Sequence, residues 1–82
     1  MVESFAPVHQ KEAEGGLELL TPRERDVLER LTLGETYAEV AAGLGLSLST
    51  VQGHVRSIYG KLEVNSKAEA TRRALQAGWG RK

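Results

Sequence analysis

The sequence predicts an all-α domain of four helices with a flexible N-terminal leader. Three observations carry this reading. Apolar residues recur at intervals of three and four, Ser/Thr-x-x-Glu signatures precede those runs, and no segment alternates with period two. The chain has 82 residues, enough for one domain. At that size only about 60% of the unfolded surface is buried, so the core must be small.

Residues 1–16 hold Pro7, Gly15 and Gly16, scattered charge and no sustained apolar period, and read as a flexible leader or linker ahead of a domain at 17–82. Thr21, Pro22 and Glu24 then supply an N-cap, a proline at the first helical position and the glutamate of a capping box. Leu20, Glu24, Val27, Leu28 and Leu31 follow at helical spacing, and the first helix is expected to end near Leu33–Gly34. Thr36 and Glu39 repeat the box before a short second helix with Val40, Ala41 and Leu44 on its apolar face. Gly45 suits the left-handed residue that closes such a helix.

Ser47 caps a third helix in which Val51, Val55, Ile58 and Leu62 step by four, three and four. Only about three residues separate the second and third helices, which is helix-turn-helix spacing. The motif falls at about 36–55 and its second helix at about 48–62. Ser66 and Glu69 predict a third capping box before a fourth helix that runs through Ala70, Ala74 and Leu75 to Gly78. Trp79 is expected to cover the end of the core.

Composition narrows the function. There is no cysteine, and His9 and His54 lie far apart, so thiolate chemistry and a structural metal are not expected. Nothing pairs a nucleophile with a base at a recognisable spacing, no glycine loop is built to cradle phosphate, and no cofactor is implied. No run of eighteen apolar residues occurs, and the first twenty residues mix charges with small residues; we expect a cytoplasmic protein without a membrane partner, and not an enzyme. The formal net charge is zero, which by itself argues against nucleic acid. The charge is uneven, however: residues 47–82 hold seven basic residues against two acidic ones, a net +5, whereas 1–20 sum to −3 and 21–46 to −2.

The third helix is unusual on its outer face, where Ser49, Gln52, Gly53, Arg56 and Gly60 form a small, polar, slightly basic stripe with no carboxylate before Glu63. Gly53 in mid-helix costs about 1 kcal/mol relative to Ala and lies off the apolar stripe, so the close approach of an external partner accounts for it best. A major groove admits a helix with a slim, acid-free leading face, and Gln and Arg donate to base edges. Gln52, Gly53 and Arg56 are therefore the candidate base-reading residues. Ser49 and Thr50 stand at the helix N-terminus, where a phosphate is favoured, and Lys61 is a candidate phosphate partner. His54, between the two stripes, either contacts phosphate or sits half-buried on a backbone carbonyl. Tyr37 and Tyr59 either reach phosphate with their phenols or fill the core edge, and Glu24, Asp26 and Glu29 fit a solvated helix face.

Two strings of residues resemble a known family. They are Leu20-Thr21-x-Arg23-Glu24-x-x-Val27-Leu28 and Ser47-x-x-Thr50-Val51-x-x-His54-x-x-x-Ile58-x-x-Lys61-Leu62-x-Val64-x-x-Lys67-x-Glu69-Ala70. They are similar to the LuxR-type helix-turn-helix, the DNA-binding output domain of quorum-sensing regulators and many response regulators, and the likeness spans about residues 17–80. The segment Ser57–Leu62 looks most like that of the large MalT-like regulators.

The resemblance implies a four-helix domain whose third helix enters the major groove of double-stranded DNA and whose fourth helix supplies a homodimer contact on two half-sites. It places base contacts at Gln52, Gly53 and Arg56, and phosphate contacts at Thr50, at Lys61 and near Thr36. Arg72, Arg73 and Gln76 are its dimer candidates, and the glycine-containing leader before Leu17 is compatible with an upstream regulatory domain. Gln52 stands where the family commonly has Lys, Tyr37-Ala38 where it has Asn-Lys, and Glu63 where it has Gly. Two alternatives share these residues. A promoter-recognising sigma-factor region, with RNA polymerase as partner, also carries Thr36–Ala41 and Ser47-x-x-Thr50-Val51, and a protein-interaction module without DNA binding fits the neutral total charge.

Overall fold

The computed structural model describes residues 16–79. Residues 1–15 of the expected leader, and residues 80–82, lie outside the described residues. Gly16 is part of the domain: it adopts φ 89° and packs where a Cβ would collide with the Lys61 carbonyl oxygen. A short 3-10 turn, Leu17–Leu19, leads into helix α1, Pro22–Thr32. Helices α2, Tyr37–Leu44, α3, Leu48–Leu62, and α4, Lys67–Gln76, complete the described chain, which contains no strand.

The caps explain where the helices begin. At Thr21 and Thr36 both halves of the capping box form, so two orphaned donors at each N-terminus are satisfied. Ser47 caps α3 by accepting the Thr50 N–H at 3.2 Å. The third expected box is only half made. Ser66 accepts the Glu69 N–H at 3.2 Å, but the Glu69 carboxylate takes the Asn65 N–H, at 2.8 Å, instead of that of Ser66. Ser66 has φ −149°, whereas Thr21 and Thr36 have −70° and −77°, and this rotation turns its N–H away from the glutamate.

All four helices end alike. A left-handed residue, directly after α2 and α3 and second after α1 and α4, donates to the carbonyl three back, and the next residue donates to the carbonyl five back, as with Gly45 to Ala42 and Leu46 to Ala41. Glycine fills this position in three helices. The exception is Glu63, φ 58° and ψ 46°, which closes α3 with Glu63 N–H on Gly60 and Val64 N–H on Tyr59. A side chain there carries roughly 1 kcal/mol of strain.

Helix α1 packs against α3 and α4, and α2 against α3. Val27, Leu28 and Leu31 from α1, Val40 and Ala41 from α2, Val51, Val55, Ile58 and Leu62 from α3, and Ala70 and Ala74 from α4 form one buried cluster with Leu17, Leu20 and Val64. The alanines of α4 let that helix approach closely. Trp79 packs against this cluster, and the Arg25 guanidinium lies 4.8 Å from its ring centroid.

Candidate nucleic-acid interface

Helix α3 buries Val51, Val55, Ile58 and Leu62 and turns the opposite face outward. Ser49, Gln52, Gly53, Arg56 and Gly60 are all exposed. A Cβ at Gly53 or Gly60 would meet nothing within 4 Å, so no neighbouring helix requires a glycine at either position. Arg56 makes no ion pair and Gln52 no hydrogen bond among the described residues, so both polar ends are open to solvent. Their helix carries no acid in its first turn.

The turn Gly45-Leu46-Ser47 sets α3 on α2 and brings the N-termini of both helices towards one side. Thr36 accepts the Glu39 N–H at 3.1 Å, which leaves its hydroxyl proton free to donate. Ser47 donates to the Thr50 hydroxyl at 2.9 Å and lies 3.3 Å from the Ser49 hydroxyl, forming a small cluster of polar oxygens at the start of α3. Thr36, Tyr37, Ala38, Leu48, Gln52 and Lys67 line a shallow groove beside this cluster.

Lys67 and Leu48 were not singled out as contacts by sequence reasoning. Lys67 belongs to α4, but its ammonium lies 5.6 Å from the Tyr37 ring centroid and donates to the Glu35 carbonyl at 3.1 Å, which holds it on the groove side. The only sequence signal for Leu48 is that it precedes Gln52 by one helical turn, at the edge of the apolar stripe three residues before Val51 and seven before Val55.

The tyrosines are resolved by geometry. Their hydroxyls are 2.7 Å apart, and both rings pack against the core. Burial, and then the hydrogen bond and charge of Tyr37, push the Tyr59 phenol well above its ordinary range. His54 is half-buried and makes no hydrogen bond among the described residues, so the expected backbone carbonyl partner is not found there.

Lys61 points away from the outer stripe. It lies about a quarter-turn from it, and its ammonium donates to Glu24 Oε1 at 2.7 Å. Glu24 is not on a solvated face, contrary to expectation: it is 5% exposed, and Oε1 also accepts the Thr21 N–H at 3.0 Å. One carboxylate thus completes the α1 cap and ties it to the last turn of α3. Burial alone would raise its pKa, but hydrogen bonds from Lys61, Ser57 and the Thr21 backbone outweigh burial and hold it at about 2. Arg73 is similarly drawn inward, donating to the Leu62 carbonyl at 3.3 Å, while Arg72 and Gln76 remain exposed on α4.

The described residues contain no group of three or more metal-ligating side chains, and no described helix is long and apolar enough to cross a membrane. What the arrangement offers is the polar outer face of a 15-residue helix presented beside a second helix N-terminus. The sequence profile of bacterial regulatory proteins of the luxR family matches residues 18–74. The chain belongs to that family.

Its relatives are similarly described. The transcriptional regulatory protein UhpA of Escherichia coli is 44% identical over 69 residues, covering 84% of this chain and 35% of UhpA. The transcriptional regulatory protein DesR of Bacillus subtilis is 33% identical over 75 residues, covering 92% of this chain and 38% of DesR. The transcriptional activator protein EsaR of Pantoea stewartii is 38% identical over 58 residues, covering 71% of this chain and 23% of EsaR. The luxR-family chain therefore spans between 23% and 38% of the length of these three relatives.

Proposed function

We propose that this luxR-family chain is the sequence-specific double-stranded DNA-binding module of a transcriptional regulator, with α3 in the major groove. The observation that carries the reading is the exposed face of α3. It is acid-free, has open space at Gly53 and Gly60, and bears the polar ends of Gln52 and Arg56, unpaired among the described residues. In this reading Gln52 and Arg56 donate to base edges, and Gly53 lets the backbone approach the groove floor. Thr36, Ser49 and Thr50 donate to phosphates on either side, with Lys67 at the groove edge as an added phosphate partner and His54 as a flanking one.

Dimerisation belongs to the same proposal. Arg72 and Gln76 extend from the exposed side of α4 and are the contacts for a second copy on two half-sites, with Arg73 fixing α4 to the end of α3. The matched segment is a minor part of each relative, which supports a module governed by a separate regulatory domain.

The test is titration of the 82-residue chain with duplex DNA at two salt concentrations. Log K should fall against log salt with a slope of about −0.9 per neutralised phosphate. Absence of binding at low salt would overturn the reading in favour of a protein-interaction module. Tight binding to core RNA polymerase without duplex binding would favour a sigma-factor-like region.

A further inference from the structure

We infer that Leu48 is a specificity determinant that reads the 5-methyl group of a thymine beside the base pair addressed by Gln52. The inference rests on the DNA-binding reading above. Leu48 is the first residue of α3 and is 46% exposed, although it stands at the edge of the apolar stripe and Leu46, two residues earlier, packs against the core. It instead shares a groove with Gln52, one helical turn further on, and with Ala38 of α2.

The groove has mixed chemistry. Leu48, Ala38 and the Tyr37 ring line it with apolar surface, Gln52 supplies an amide, Thr36 a hydroxyl and Lys67 an ammonium at the rim. A peptide or lipid occupant would need a longer apolar track than these three side chains provide. A base pair fits the set. In the major groove, adenine offers N7 and N6 to an amide, thymine alone offers a methyl group, and the flanking phosphates take the hydroxyl and ammonium. Residues one turn apart on a helix rise by about 6 Å, against about 3.4 Å per base pair, so the thymine lies one or two base pairs from the adenine held by Gln52. Leu48 is outside the buried cluster, so its truncation should leave the fold intact.

The experiment selects duplexes from a randomised library with the 82-residue chain and then replaces each thymine of the enriched duplex, in turn, by deoxyuridine, which lacks only the methyl. We expect one thymine, one or two base pairs from an enriched A·T pair, whose replacement weakens wild-type binding about fourfold, the value of one apolar carbon removed from contact. Leu48→Ala should bind the thymine and uracil duplexes equally, with an unchanged melting temperature. A flat uracil scan with wild type, or a uracil effect that persists in Leu48→Ala, overturns the inference and leaves DNA binding standing. Binding without any enrichment does the same. Failure to bind any duplex at low salt overturns the DNA-binding reading, and this one falls with it.

Discussion

The pairing of Glu24 with Lys61 makes a quantitative prediction about acid stability. The folded carboxyl titrates at about 2, against an ordinary 4.5. Because the folded value is the lower one, the ionised group stabilises the fold fully above pH 4.5, and this contribution is lost as the pH falls through 4.5 toward 2. The gap corresponds to about 3 kcal/mol. The side chain of Glu24 is 7% exposed and that of Lys61 31%, so solvent screens the pair only in part. A domain of this length has roughly 4–12 kcal/mol of stability in total, so the pair is a large fraction of it.

Glu24→Gln keeps the volume and removes the charge. At neutral pH it should cost about 2–3 kcal/mol and lower the melting temperature by on the order of 15 °C. The decisive measurement compares both proteins, by helical circular dichroism during urea or thermal unfolding, near neutral pH and near pH 3. Other carboxylates titrate in both, so the difference between the two curves isolates Glu24. Wild type should lose its advantage progressively on acidification, keeping roughly two-fifths of it near pH 3 and converging with the variant only as the pH falls through the folded value of about 2. Parallel curves, with the same loss in both, would refute the assignment of the buried pair as the source of this stability.

Three further outcomes are expected. Glu63→Gly relieves the left-handed side chain and should raise stability by about 1 kcal/mol, or the melting temperature by about 4–8 °C, with DNA affinity unchanged; an equal or lower melting temperature would contradict the strain. Gly53→Ala meets no neighbour, so it should stabilise the helix by about 0.5–1 kcal/mol yet weaken duplex binding in a gel-shift titration; undiminished binding would remove Gly53 from the contact surface. Arg56→Ala should cost about 1–3 kcal/mol on the selected duplex and much less on random DNA, whereas equal loss on both would make Arg56 a phosphate contact.

Much of the fold was legible because its signals are local. Thr21 with Glu24 and Thr36 with Glu39 satisfy donors within one turn of themselves, so spacing alone locates the starts of α1 and α2. Partners chosen across helices were not legible. Glu24 and Lys61 are 37 residues apart, and Tyr37 and Tyr59 are 22 apart; which side chains meet depends on how far each helix is rotated in the packed core, which periodicity fixes only to within a quarter-turn. The same uncertainty made Glu24 look solvated and Lys61 look available. Even the cap at Ser66 depended on a backbone angle that Ser-x-x-Glu does not encode.

These pairings change what the charge balance means for DNA. The basic segment from Ser47 onward sums to +5, but the sum treats every cation as open to phosphate. Lys61 is held by Glu24, and Arg73 donates to Leu62, so neither extends the polar face of α3. Arg23 and Arg30, outside that segment, are matched by Asp26 and Glu35. Among the described residues, the cations on or beside the proposed contact surface reduce to Arg56 on α3 and Lys67 at the groove rim. With Arg56 on a base edge, Lys67 is left to neutralise one phosphate, which implies a salt slope of about −1 for one domain and twice that for a pair on adjacent half-sites. Electrostatics of that size are weak for a single copy. Useful affinity must come from base contacts along α3 and from a second copy, and a single-domain slope much steeper than this would mean that Lys61 leaves Glu24 when DNA is bound.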